Sequence, residues 1–431
     1  MGDLYFQIKG LIKIFKRRQI ADGVYFSKIT DPRYKQNRFF ISLFTDISDI
    51  PREDAAVTAY EFTECCERYP DYKQLSSALL DLYDASISAS TSIFSGARRT
   101  DIWAAALDDR YALDGEKLER ETAKLMCDCI FRPFAKNGAF DEKTVEMLRA
   151  QLIDNIDSVI NDKAVYASER AAKTAFKGEA LELPPSGVHE NAEKVTARSA
   201  YEAYRKMLST AHVEICAVGC SEFSESEQIF TDEFSKLERG NIYRLKTSPS
   251  TLKDKPAHVE DYLEMQQVIL RMYFKAPEMD DRPANALFAS ILGGMTTSRF
   301  FMNIREKQSL CYYCGCHADR FSKTIACSAG IEPDNVEKTR DAMLREFNDI
   351  RENGVSEDEL NRAKLEILNA LSSTYDSAHG IASWYLSQII DGEFISPEEY
   401  AGRIRAVTPG RVRAAAEKYS LDTVYTLKNK E

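Results

Sequence analysis

The chain has 431 residues, enough for two or three domains, and its 44% hydrophobic and 29% charged composition is that of a soluble globular fold. A formal net charge of −11 argues against a general nucleic-acid binder, and no basic face or aromatic RNA motif stands out. No apolar run approaches the length of a membrane span, and ten cysteines in a chain this long are not a secreted disulfide scaffold.

The first residues, MGDLYFQIKGLIKIFKRRQ, do not read as a signal peptide. Lys9 and Lys13 break the apolar run, the basic cluster Lys16-Arg17-Arg18 follows it, and no small-residue cleavage site is present. A strand or short amphipathic segment is expected there. Phe6 stands where a myristoylation signal wants Ser or Thr. The cysteines are therefore expected to be free thiols in a reducing cytoplasm.

Arg38 to Thr45, RFFISLFT, predicts a strand, and a helix follows Pro51 through Ala55, Ala59, Phe62 and Cys66. Tyr69-Pro70 breaks it before a second helix through Leu75, Leu79, Leu80 and Leu82. Ser86 to Ile93 and Asp101 to Leu107 read as a strand pair joined at Ser95-Gly96. A helix through Leu118, Leu125 and Cys129 ends before Asn137-Gly138, and Asp141 caps the next, through Val145, Leu148, Leu152 and Ile156. Val213 to Val218 is an apolar strand, and Ser221 to Gly240 adds a helix.

The order then recurs. Gln267 to Phe274 is a strand, Pro283 opens a helix, and Leu310 to His317 with Lys323 to Gly330 forms a strand pair around Asp319-Arg320. A helix through Val336, Met343, Phe347 and Ile350 ends near Asn353-Gly354, and Ser356 with Glu359 gives a capping box for the next. NGAFDEKTVEMLRA from Asn137 resembles NGVSEDELNRAK from Asn353, an offset of about half the chain that indicates duplication rather than a short repeat. Strands followed by runs of helices predict an α+β fold of two duplicated α/β halves, each a mainly antiparallel sheet with helices on one face. Residues 1–245 form the first half, the polar stretch 246–256, KTSPSTLKDKP, a linker open to proteolysis, and 257–431 the second half.

The most informative stretch is Leu292 to Tyr313, LGGMTTSRFFMNIREKQSLCYY. Ala284, Leu287, Phe288, Ile291 and Leu292 repeat at helical spacing. Gly293-Gly294 is expected to end that helix in a left-handed cap. Thr297 or Ser298 can cap a short second helix carrying Arg299, Phe300, Phe301, Ile304 and Arg305. A strand follows from Leu310, so Arg305 at a helix end adjoins Tyr312 on the strand.

The pattern Gly-Gly-x-x-x-Ser-Arg-Phe, then Arg-Glu-Lys-x-x-Leu-x-Tyr, resembles the second half of pitrilysin-type (insulinase) zinc metallopeptidases, a superfamily that includes mitochondrial processing peptidase and paired bacterial homologues. The resemblance implies two similar halves that pair with another two-half subunit around a closed chamber. It also implies that Arg305 and Tyr312 form the Arg/Tyr pair that reaches substrate near the zinc. Arg299, on the same short helix but outside the pair, is expected to be dispensable.

The catalytic part of the resemblance is missing. The family's His-x-x-Glu-His helix holds zinc with two histidines and uses the glutamate between them as general base. The five histidines here are His189, His212, His258, His317 and His379, and no two stand four residues apart. Anchored on Pro70, the motif helix falls near Ala56 to Glu64, where there is no His. The downstream glutamate position falls near Asn155, beside Asp154. No catalytic residue and no metal ligand is therefore assigned, and zinc is expected only in a partner.

Other clusters read as structural. Alternation puts Cys314 and Cys316 on the Tyr312 face of their strand and Cys311 and His317 on the other, so they do not converge on one ion. Cys65-Cys66 and Cys127-x-Cys129 sit in apolar helical stretches as buried thiols. Glu61, Glu64 and Glu67 read as a solvated helix face, and His379 before Gly380 as a residue at a helix end where a cation is favoured.

The resemblance thus implies a non-catalytic, substrate-binding subunit of a heterodimeric pitrilysin-type zinc metallopeptidase. Its partners would be a catalytic zinc-bearing subunit and a peptide or small-protein substrate, with neither nucleic acid nor membrane. The alternative is a structural homologue with no role in proteolysis.

Overall fold

The computed structural model describes residues 15–430, so the readings made on Met1 to Ile14 lie outside the described residues. Two compact units emerge. The first comprises 1–157, 185–245 and 377–387, and the second 158–184, 246–376 and 388–431. They share most of their residues with the halves read from sequence but exchange two short segments.

In the first unit, strands β1 (Lys16–Ala21), β2 (Val24–Thr30), β3 (Gln36–Asp46), β4 (Ser86–Phe94) and β5 (Ala97–Leu107) enter the main sheet. A two-residue hairpin, β6 (Ala135–Lys136) with β7 (Ala139–Phe140), stands apart, and β8 (His212–Gly219) completes the sheet in the order β1-β2-β8-β3-β5-β4. Asn137 and Gly138 carry the hairpin at positive φ of 53° and 72°, which the Asn-Gly pair tolerates. All main-sheet pairings are antiparallel except β2 with β8.

One face of this sheet packs under helices Arg52–Glu61, Leu118–Phe131, Glu142–Ser158, Ala197–Thr210 and Ser224–Ser235. Phe39, Ile41 and Leu43 project from β3 into that core at alternate positions, and Phe39 meets Phe223 and Phe230 edge-on at 5.7 and 5.8 Å. The other face is polar, and helix Ala378–Leu386 lies over it, with His379 edge-on to Phe40 at 5.6 Å. His379 sits at the start of this helix, not its end, because Ser377 caps it by accepting from Gly380 N. A cation there would oppose the helix dipole rather than complement it.

The second unit repeats the topology. Strands β9 (Ala257–Leu263), β10 (Val268–Lys275), β11 (Cys311–Asp319), β12 (Thr324–Ile331) and β13 (Ser420–Asn429) run in the order β11-β12-β10-β13-β9. Again one pairing, β13 with β9, is parallel and the rest antiparallel. Read from one edge, β4-β5-β3-β8-β2 matches β11-β12-β10-β13-β9 in both order and sense, which is the duplication in three dimensions.

β10 is apolar almost throughout because both of its faces are covered. Phe274 stacks on Phe347 at 4.2 Å beneath helix Val336–Asn353. Helix Lys163–Ala175 covers the opposite face, where Ile269, Tyr273, Tyr425 and Leu427 meet Ala167, Ala171 and Ala175. Three alanines four residues apart give that helix a flat stripe that can lie close against the strands.

The polar stretch 246–256 is tied to this unit rather than loose. Ser250 N donates to Ser322 O at 2.9 Å, Thr251 N to Glu179 Oε1 at 2.9 Å and Lys253 N to Asp422 Oδ1 at 3.0 Å. Its two prolines and eight polar residues signal exposure, and the anchors lie too far away in sequence to be read from it. No helix among the described residues is long and apolar enough to cross a membrane.

Candidate functional site

Asp281 caps the helix Arg282–Ala289 with Pro283 in its first turn, and the chain continues as a π-helical turn, Ser290–Gly294. Gly293 and Gly294 are not left-handed caps, since neither has positive φ. They are glycines because the turn presses onto β11: a Cβ on Gly293 would stand 2.8 Å from Cys316 N and 2.7 Å from the Phe300 ring. Ser298 then accepts from Phe301 N, and a second π-helical stretch, Phe300–Glu306, ends in a Lys307 N to Met302 O bond. Insertions of this kind re-aim the side chains that follow them.

That stretch delivers Arg305 to the start of the edge strand β11. Its Nε donates to Tyr312 O at 2.8 Å, and its guanidinium lies 4.7 Å from the Phe301 ring centre. The expected adjacency of Arg305 and Tyr312 is therefore present. Tyr312 sits at an irregularity where Cys311 pairs with Ile331 but Tyr313 pairs with Gly330, a bulge on an edge strand. Its ring is half exposed and its hydroxyl donates to Glu332.

The bulge corrects the reading of the cysteines. With one residue extra, Cys311 shares a side with Cys314; their hydrogen bond lowers the Cys311 thiol below its ordinary pKa and raises that of Cys314. Cys314 and Cys316 face the π-helical turns, donating to Phe300 O at 3.2 Å and Ala289 O at 3.3 Å. Among the described residues no three His, Cys, Asp or Glu side chains converge as metal ligands.

Arg299 also departs from expectation. It is mostly buried, and it bonds Glu359 at 2.7 Å, Asp349 at 2.5 Å and Gly354 O at 3.1 Å, clamping two helices to the turn between them. Arg299→Ala is therefore expected to lower stability by about 2 kcal/mol or more, since it strands Glu359 half-buried. Thermal denaturation checks this, and an unchanged melting curve would show the clamp to be idle. Arg362, in an exposed pair with Asp358, is the better neutral control.

The position where the resemblance puts the zinc motif is the helix Arg52–Glu61, with helix Glu142–Ser158 in the same core. Asn155 Nδ2 reaches the Tyr60 hydroxyl at 3.4 Å, so the two motif regions do meet. The residues there are a phenol, an amide and the carboxyl of Glu61, and these do not make a zinc site.

Glu61 is not on a solvated face. It is 2% exposed, its Oε1 accepts from the Cys65 thiol at 3.5 Å, and its Oε2 has no hydrogen-bond partner among the described residues. Burial, with Glu64 and Asp141 nearby, pushes its pKa up to about 8 despite the Cys65 bond. The three-residue spacing of the glutamates concealed this; the available signal was that Glu61 follows Val57 and Thr58 by one turn on the buried side of the helix.

The position where the resemblance puts the zinc motif therefore lacks the residues to hold zinc. Residues 194–367 match the family model described as the peptidase M16 inactive domain. A probable inactive metalloprotease of Bacillus subtilis is 26% identical over 367 residues, covering 84% of this chain and 86% of its own. A conserved protein of Enterococcus faecalis superposes with a TM-score of 0.87 at 23% identity, over 97% of this chain and 99% of that one. A peptidase M16 inactive domain from Pseudomonas fluorescens gives 0.80 at 16% identity, over 97% and 99%. The chain is thus similar to M16-type peptidase chains in fold, its residues 194–367 resemble the family's inactive domain, and its sequence holds no His-x-x-Glu-His motif.

Proposed function

We propose that this chain is the substrate-binding subunit of a heterodimeric pitrilysin-type peptidase, completing the site of a zinc-bearing partner with Arg305 and Tyr312. The observation that carries the reading is that a π-helical stretch and a strand bulge bring a cation and a phenol together at one exposed sheet edge. Peptide hydrolysis builds negative charge on the carbonyl oxygen, which a held guanidinium or hydroxyl can stabilise.

A scaffold without a role in proteolysis is the second reading. It is favoured by the satisfaction of both groups within the chain, Arg305 by Tyr312 O and Tyr312 by Glu332. The test isolates the partner by affinity capture from the native cell and assays the assembled pair. Arg305→Ala and Tyr312→Phe are expected to leave assembly intact and lower kcat/KM by roughly 10²–10³, while Arg362→Ala changes little. If only KM rises, the pair binds substrate without supporting the transition state. Equal activity for wild type and both variants, in a complex shown to be assembled, would establish the scaffold reading.

A further inference from the structure

The polar face of the first sheet holds a cavity that has no part in the Arg305–Tyr312 reading. Strand register lays two rows across it. One row runs Ser90, Asp101, Ser42, Glu214 and the next runs Ser88, Trp103, Phe40, Cys216. The helix Ala378–Leu386 roofs them with His379, Ala382, Ser383 and Leu386, which fall on one helical face. Together they enclose about 220 Å³, smaller than the roughly 300 Å³ at which drug-sized pockets begin. A nucleotide is too large for it.

The charges in the cavity are fixed before any ligand arrives. Glu214 is buried and fully engaged, taking Arg17 at 3.0 and 2.5 Å and His212 at 2.6 Å. Asp101 Oδ1 takes Ser42 at 2.5 Å and Arg99 Nε at 2.7 Å. This leaves Asp101 Oδ2 and both terminal nitrogens of Arg99 without hydrogen-bond partners among the described residues. The lining therefore offers one carboxylate oxygen beside one end-on guanidinium edge, with Trp103, Phe40 and Leu386 as apolar walls. The four charges of Arg17, Glu214, Arg99 and Asp101 sum to zero, so a net cation or net anion gains nothing from the site as a whole.

We infer that this cavity binds a free zwitterionic α-amino acid with an apolar side chain. Its carboxylate would meet Arg99, its ammonium Asp101, and its side chain Trp103 and Phe40. A guanidinium whose Nε is already held is preorganised for bidentate carboxylate binding at its free edge.

The test is calorimetric titration of the full chain with leucine, leucyl-leucine, and the two single-charge analogues of leucine, isopentylamine and 4-methylpentanoate. Leucine is expected to bind, and leucyl-leucine, larger and with its two charges a residue apart, to bind at least about 10-fold more weakly. Each single-charge analogue should bind about 10–100-fold more weakly, as should the zwitterion to Arg99→Gln. Ser383→Leu leaves the Arg99–Asp101 pair intact and narrows the cavity, so it should abolish binding even if Arg99→Gln fails to fold. No binding of leucine at millimolar concentration, or leucyl-leucine binding as tightly, would overturn the proposal. So would analogues that bind equally well, or binding that survives Ser383→Leu.

Discussion

Asp422→Ala is expected to cost the second unit about 3–5 kcal/mol, the range for removing one partner of a buried ion pair. Asp422 is fully buried and holds two cations, Lys253 at 2.6 Å and Lys275 at 3.5 Å. Burial works to raise its pKa, but the bonds from Lys253 and Thr423 and the charge of Lys275 outweigh it and leave the carboxyl below its ordinary value. Lys275 is itself 1% exposed, and it donates to Ala175 O at 2.5 Å and Thr251 O at 2.8 Å. One carboxylate thus joins the end of helix Lys163–Ala175, the stretch 246–256, β10 and β13. Without it, Lys253 loses its counter-charge, and Lys275, which has no route to water, keeps only the more distant Glu179 at 3.9 Å. Denaturant unfolding of Asp422→Ala checks the size of the effect. The pair Lys275→Met with Asp422→Leu should recover most of the loss, because an apolar pair removes the stranded charge. A single variant as stable as wild type would mean that the network contributes nothing.

Glu61→Gln is expected to stabilise the first unit as pH rises, by about 3 kcal/mol near pH 8. In the folded chain the Glu61 carboxyl keeps its proton up to about pH 8, whereas an unfolded glutamate releases it near its ordinary value of 4.5. Between those limits the unfolded state binds fewer protons than the folded state, so wild-type stability falls as pH increases. Glutamine removes that dependence and still offers Cys65 an acceptor. The measurement is the stability difference between variant and wild type at pH 4.5, 6 and 8. It should be small at the first and largest at the last. A difference that is flat with pH would show that Glu61 is ionised in the fold.

These two sites also mark what sequence could and could not reveal. The strand pairs, the helix from Val336 and the Ser356–Glu359 capping box were legible because alternation, helical spacing and cap chemistry are local. Helices Lys163–Ala175 and Ala378–Leu386 were not, since periodicity identifies an apolar face without saying which sheet it will meet. The adjacency of Arg305 and Tyr312 was legible from motif spacing. The bulge that aims Tyr312 was not, because one extra residue on an edge strand leaves no composition signal. Glu61 and Arg299 misled for a common reason: a charged side chain on a helix is normally solvated, and only tertiary packing makes these two exceptions.

The exchange of segments has a consequence for how this chain can be made. Reading along the sequence, the path enters the second unit at 158, leaves it at 185, returns at 246, leaves again at 377 and returns at 388. A gene divided at 246–256 would yield an amino-terminal product without its Ala378–Leu386 roof and with its Lys163–Ala175 helix bare. The carboxy-terminal product would carry a β10–β13 face with nothing to cover Tyr273 and Leu427. Neither piece would be a finished object. Duplication here has produced two similar sheets that can no longer be inherited separately.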